Sequence, residues 1–400
     1  MKKTLAALAV LGAFAGSALA AEVLLYGILD TGVGYNHINL DTSGVDNVDS
    51  FEMKSGVGSG SRWGLKGTEE LGNGLTVGFI LEDGFDSDTG SEDSTGVMFN
   101  RESSLFLQGN FGKIALGRMG ALNSGQSSWS KVGMINAFGT SYGDFTAQAS
   151  NVFSLAGQWD NMIAYETPDF AGFKLFAQYG MGSNDNENES SSDRFYSLGV
   201  TYNNGPFAGY LAVDSINYKT AKFGTGEYPN NGDDIDDSLT ITLGGSYDFN
   251  VVKIYLGAQY FDEVRLASIG GVLNKAGDGE TIDGLITPIN EIAKIKGYGI
   301  SLTGDAPLGG GKAMFGVGYL DADAADSMDR ALSQNTRGLR DFDIQRYVVS
   351  VGYSYPFSKR TDVYGVASYM QDQTDTKTDK GTDEWDPSAY TVYVGLRHRF

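Results

Sequence analysis

The stretch AYTVYVGLRHRF, residues 389–400, decides the fold. Read with period two, Tyr390, Val392, Val394, Leu396, His398 and Phe400 fall on one side. Thr391, Tyr393, Gly395, Arg397 and Arg399 fall on the other. That is a β-strand with one greasy and one wet face, and the alternation runs through to Phe400. An open apolar strand of this kind invites edge-to-edge aggregation. A sheet closed into a barrel has no such edge, and closed barrels are the only all-strand structures that cross lipid.

The opposite end points the same way. Residues 1–20 combine Lys2 and Lys3, an apolar run from Leu5 to Phe14 and a small-residue exit at Ala18-Leu19-Ala20. This is the layout of a secretory signal peptide, with cleavage expected before Ala21 and a single domain over 21–400. The apolar core is too short to span ~30 Å of hydrocarbon as a helix. No later stretch reaches eighteen apolar residues, so any crossing by the mature chain is made by strands.

Composition narrows the class. Without Lys2 and Lys3 the 29 basic residues become 27, which against 50 acidic ones gives −23. A chain this acidic is no partner for nucleic acid, which needs clustered Lys and Arg. The 22 Tyr and 22 Phe are too many for a disordered acidic chain. Gly is abundant at 56 while Pro is scarce at seven, which suits twisting, closely packed strands rather than linkers. With no Cys, disulfides and thiolate metal sites are excluded. Neither histidine, His37 nor His398, lies in a nucleophile–base motif, and no catalytic role, metal or cofactor is expected.

Connectors alternate in kind along the chain. Tight turns rich in Gly, Asn, Asp or Pro lie at 71–74, 110–112, 168–172, 203–205, 248–250, 305–311 and 356–360. Long polar stretches lie near 38–58, 88–97, 120–158, 182–193, 216–236, 263–294, 323–341 and 371–387. Seven short and eight long connectors imply a 16-stranded antiparallel transmembrane β-barrel, all-β, with turns on the periplasmic rim and loops outside. Tyr26, Tyr35, Tyr165, Tyr179, Tyr247, Tyr319, Tyr353 and Tyr369 near strand ends read as interface girdles. A pair of soluble β-sandwiches would share the alternation but not the asymmetry of turns and loops. About sixteen strands enclose a lumen too wide for side chains to fill.

Several blocks resemble the general trimeric porins of the Gram-negative outer membrane, of the beta-proteobacterial and neisserial type. They are AEVLLYGILDTGVGY (21–35), SGSRWGLKGTEELGNG (59–74), GFILEDGFDSDTG (78–90), FNRESSLFLQGNFGKIALGR (99–118), DNMIAYETPDFAGF (160–173), RFYSLGVTYNNGPF (194–207) and VYVGLRHRF (392–400). The resemblance implies an outer-membrane location and a homotrimer in lipid and lipopolysaccharide, packed through outer residues such as Leu25, Val392 and Val394. It also implies a third loop folded into the lumen, passive diffusion of small hydrophilic solutes and ions, and a terminal Phe400 that signals assembly. A substrate-specific channel, or a surface adhesin using the long loops, would be built on the same barrel.

In such a channel a charged constriction sorts solutes. Parity places Arg62, Lys66 and Glu82 on the lumen face. The resemblance implies constriction arginines at Arg62 and Arg101 and a carboxylate at Glu82. Strict alternation groups Arg101 with the lipid-facing Ser103, Leu105 and Leu107, and a bulge between Arg101 and Leu105 would return it to the lumen. Arg118 has the same difficulty beside Ile114 and Leu116, at the mouth of the long loop 120–158. That loop carries five large aromatics and only two charges within it, Lys131 and Asp144, and Asp144 is expected to face wall arginines. Where the family pattern has arginine before Asp160-Asn161, this chain has Gln158. Two positives, Arg62 and Lys66, against Glu82 and Asp144 imply weak selectivity, tilted to cations at low salt. Gly56–Gly60 reads as a flexible loop, and Asp86, Asp88, Glu92 and Asp93 as a solvated one.

Overall fold

Backbone amides surrounded by hydrocarbon must find partners within the chain, and here they find them in one closed antiparallel sheet. The computed structural model describes residues 22–41, 46–182, 192–218, 236–272, 294–327, 339–379 and 381–400. The expected signal peptide lies outside them, as do most of the long stretches near 182–193, 216–236, 263–294 and 323–341.

The strands are β1 (Glu22–Asn39), β2 (Val48–Ser55), β3 (Arg62–Gly72), β4 (Leu75–Gly84), β5 (Glu102–Gly109), β6 (Gly112–Gly120), β7 (Gln158–Glu166), β8 (Phe173–Gly180), β9 (Arg194–Asn204), β10 (Phe207–Asn217), β11 (Ser238–Asp248), β12 (Lys253–Arg265), β13 (Lys294–Leu308), β14 (Gly311–Ala324), β15 (Leu339–Pro356), β16 (Thr361–Thr378), β17 (Gly381–Trp385) and β18 (Ser388–Arg399). All eighteen belong to a single sheet. Two of them do not span: β2 extends the β1 edge above β3, and β17 extends the β16 edge above β18. Removing those two leaves sixteen staves.

The seam is made by β1 and β18, from Ile28↔Arg399 to Asn39↔Ser388. Gly27 and Phe400 continue it with a reciprocal pair of backbone hydrogen bonds at 3.2 and 3.1 Å. All seven expected tight turns join consecutive staves. Asn73 and Gly74 both take positive φ (53° and 76°) in the β3–β4 turn, the left-handed conformation that Asn and Gly tolerate. The long stretches 38–58 and 371–387 differ from expectation, because each is partly strand. Their strands β2 and β17 are both short and rich in polar residues, so the alternation that betrays a strand is weak in them.

Alternation holds elsewhere. Leu107, Leu116, Val213, Leu243, Ile300, Val349 and Val394 stand exposed on the outer face, whereas Thr242, Gln259, Ser301, Ser350 and Thr391 are buried on the inner one. Aromatics meet across neighbouring strands on the outside: Tyr179–Tyr196 at 5.3 Å, Tyr319–Tyr347 at 5.2 Å and Tyr369–Tyr390 at 4.8 Å. Tyr26 is not part of these belts; it bonds inward to Glu82.

The segment from 121 to 157 lies against the inner wall. Its backbone is held by inward side chains: Gln178 accepts from Leu122 N–H, Thr303 from Ala137, Ser350 from Ala147 and Gln259 from Ser154. Trp129, Phe138, Phe145 and Phe153 are almost completely buried between segment and wall. Inner glycines make the seats. A Cβ on Gly299 would land on the Val152 carbonyl oxygen, and one on Gly257 would press on the Phe153 ring at 3.0 Å. This close approach accounts for part of the glycine excess.

Candidate functional site

Carboxylates and guanidinium groups held inside a wall need partners, because burial strips their water. Glu82 on β4 is the hub of the first group. Its Oε1 accepts from Arg101 Nε at 2.8 Å, its Oε2 lies 3.5 Å from Arg62 Nε, and Tyr26 donates its hydroxyl to Oε2 at 3.0 Å. Arg62 also donates to the Gly60 carbonyl at 3.0 Å. Lys66 stacks over the Tyr26 ring at 4.8 Å. Arg62, Lys66, Glu82 and Arg101 are therefore neighbours on the lumen side.

Arg101 reaches this position through local backbone geometry. Glu102 is the register partner of Glu82, yet the Arg101 N–H also donates to the Glu82 carbonyl at 3.2 Å. Two residues, Arg101 and Glu102, thus oppose one, the count of a β-bulge, at the start of the 101–105 stretch where parity placed the break. Phe99, with φ 58°, sets up the kink. Glu102 points inward beside Arg101, where it accepts from the Ser128 N–H of the inner segment at 2.8 Å.

Arg118 and Asp144 are elsewhere. Register shifts between Gly117 and Met119, and Arg118 is spent on Asp160 and on the Asn100 carbonyl at 2.7 Å. It does not reach Glu82. Asp144 Oδ2 meets Lys54 Nζ at 2.8 Å, an ion pair with a lysine of β2 where a wall arginine was expected. Lys131 bonds the Trp129 carbonyl and lies over the Phe176 ring at 4.9 Å; burial pushes its ammonium down to about 8. Gln158 binds Gln126 at the root of the segment.

Several groups escaped the sequence reading. The turn Gly56–Gly60 is a latch instead of a flexible loop. Gly56 N–H donates to Asp30 O (2.9 Å), Gly58 N–H to Tyr364 OH (2.8 Å), and Arg397 to Gly58 O (2.9 Å). Val57 then accepts from the Tyr142 N–H of the inner segment, whose ring meets Tyr364 edge-on at 5.6 Å. On the far wall Arg346 binds Asp372 through two nitrogens, at 2.5 and 3.0 Å, and caps the Asn151 carbonyl at 3.1 Å. Arg397 does the same with Asp362 at 2.9 Å. Arg397 was legible on the wet face of the closing strand. Arg346 was masked, because Ile344 and Val348 on its own face are as apolar as the lipid side.

Nothing in these groups pairs a nucleophile with a base; they are charges fixed along an inner wall. Residues 6–376 match the family model described as Gram-negative porin. The chain belongs to that family. An outer membrane porin protein of Bordetella pertussis is 32% identical with full coverage of both chains, and outer membrane porin protein 32 of Delftia acidovorans is 29% identical, again over both full lengths. Among solved structures, the anion-selective porin from Comamonas acidovorans superposes with a TM-score of 0.61 at 25% identity, covering 95% of this chain and all of that one. The protein is an outer-membrane porin of a Gram-negative bacterium. It is a passive diffusion channel and not an enzyme.

Proposed function

We propose that solutes pass between the Glu82 group and the inner segment, and that Arg62, Lys66, Arg101 and Glu82 set the charge preference there. The observation that carries this reading is the convergence of three cations and two carboxylates on the wall beside a segment held inside the lumen. Asp144 and Glu52 share Lys54, and Glu102 points inward beside Arg101, so three positives face two negatives, Glu82 and Glu102, and the local balance is 3 − 2 = +1. This supports a mild anion preference when salt screens the rest of the chain. The relative from Comamonas acidovorans is named as anion-selective. At low salt the screening length grows from ~10 Å at 0.1 M to ~30 Å at 0.01 M, and the acidic mouths then pull the preference towards cations. Arg118, outside the group, contributes little.

Planar-bilayer recording tests this. Purified protein is expected to give stepwise ohmic currents, and their absence would favour an adhesin. Arg62→Glu brings the local balance to 2 − 3 = −1, so the reversal potential in a salt gradient should move towards cations. An unchanged potential would place the constriction elsewhere.

Assembly as a homotrimer in lipid and lipopolysaccharide is part of the same proposal. The outer faces of β1 and β18 offer Leu25, Val392 and Val394, each about half exposed, as a self-complementary apolar surface. Mass measurement in mild detergent should give three barrels per particle.

A further inference from the structure

A second charged group shares no residue with the Glu82 group. Lys54 stands on the inner face of β2, over the Tyr393 ring at 5.8 Å. Its Nζ meets Asp144 Oδ2 of the inner segment at 2.8 Å and Glu52 Oε1 of its own strand at 3.1 Å. All three side chains are partly exposed, so their charges act on ions in water as well as on one another. One ammonium between two carboxylates leaves a balance of 1 − 2 = −1.

Strand register places this group above the first. β1 runs from the turn rim at Glu22 to the loop rim at Asn39, pairing with Arg62 at Ile28 and with Lys54 at Gly32. Four residues at ~3.3 Å each put ~13 Å between the two backbone rows. The screening length at physiological salt is ~8 Å, so a passing ion meets the two groups in turn, Lys54 on the loop side.

Asp144 does not depend on Lys54 for its position. Asn151 Nδ2 donates to the Asp144 carbonyl at 2.9 Å and to the Thr146 carbonyl at 2.6 Å, and Gln148 Nε2 donates to the Gly143 carbonyl at 2.8 Å. Gly143 takes φ 104° against the Tyr393 ring, where no Cβ would fit. Glu52 is held by the pairing of β2 with β1, opposite Gly34. The backbone therefore presents both carboxylates whether or not an ammonium lies between them.

We infer that Lys54 is a specificity-determining residue, which covers Glu52 and Asp144 and so restrains the cation preference of the loop-side approach. Fixed charges along a pore set its selectivity, and without Lys54 the same two carboxylates concentrate small inorganic cations ahead of the Glu82 group. Passage of ions beside them rests on the channel reading above.

Reversal potentials in a potassium chloride gradient test it. Lys54→Met keeps an unbranched stem over Tyr393 and brings the balance to 0 − 2 = −2. The cation-to-anion permeability ratio should then rise about twofold, the effect of one unit charge ~9 Å from the ion path in water. Asp144→Asn alone gives 1 − 1 = 0 and should lower the ratio by a similar factor, which keeps the test alive if Lys54→Met fails to assemble. The double variant, at 0 − 1 = −1, should return to the wild-type ratio, and Lys54→Arg should keep it. A Lys54 that only braces the inner segment would show as noisier currents with the ratio unmoved. An unchanged ratio in Lys54→Met, a rise that Asp144→Asn does not reverse, or the same rise in Lys54→Arg would overturn the inference. Arg62→Glu measured alongside keeps the two readings apart. A shift with Arg62→Glu but not with Lys54→Met sinks the Lys54 role alone, and the reverse result sinks the Glu82 constriction alone.

Discussion

Deleting Phe400 is expected to cut the yield of folded barrel in outer membranes by about tenfold or more, with synthesis and export unchanged. The residue ends the seam on which closure depends. Its N–H and carbonyl exchange bonds with Gly27, and its ring lies directly over the Gly27 Cα, where a Cβ would strike it. Deletion orphans both Gly27 backbone groups, and each unsatisfied group in hydrocarbon costs several kcal/mol, where ~1.4 kcal/mol is already tenfold. Gly27→Val should impair assembly from the other side, since its Cβ would also sit 2.7 Å from the Arg62 carbonyl oxygen. Heat-modifiable migration of outer-membrane fractions gives the readout. Normal amounts of folded barrel from the deletion would show that the seam closes without this contact.

Where one face of a strand must meet hydrocarbon, the chain announced its structure. The closing strand alternates because Val392, Val394 and Leu396 face outward while Thr391 and Arg397 line the wall, and the seven turns carry their own Gly and Asn markers. That pressure is weaker in short polar runs. β2 alternates only over Phe51 and Met53 outward against Glu52 and Lys54, a run too brief to stand out in the sequence, and pairing with β1 completes the strand.

The site was legible to the extent that parity holds. Arg62, Lys66 and Glu82 lie where period two puts them. Arg101 needed a bulge whose place depends on Phe99 taking a positive φ, which no local pattern announces. The Asp144 partner was hidden because Lys54 lies ninety residues away on a segment that looked like loop. Glycine misled for a related reason. At Gly58 the missing side chain serves close approach: a Cβ there would collide with Tyr364. Flexibility and close approach leave the same letter in the sequence.

Arg346→Met should leave the barrel closed and free the inner segment, giving larger and noisier single-channel currents and a lower unfolding midpoint. The guanidinium is fully buried, clamps Asp372 and holds the carbonyls of Asn151 and Gly270. Loss of the cation breaks its ion pair with Asp372 from one side, a change that costs ~3–5 kcal/mol for a buried pair. Closure itself rests on sixteen staves of backbone pairing, so the heat-shifted monomer should persist. Adding Asp372→Leu separates the two roles. Removing both partners of a buried pair is often neutral, so the double variant should regain the midpoint. It should not regain the quiet current, because Asn151 and Gly270 remain without their donor. A double variant with wild-type current would mean that Arg346 only neutralises Asp372, and that the other wall contacts, Gln178, Thr303, Ser350 and Gln259 among them, suffice to hold the inner segment.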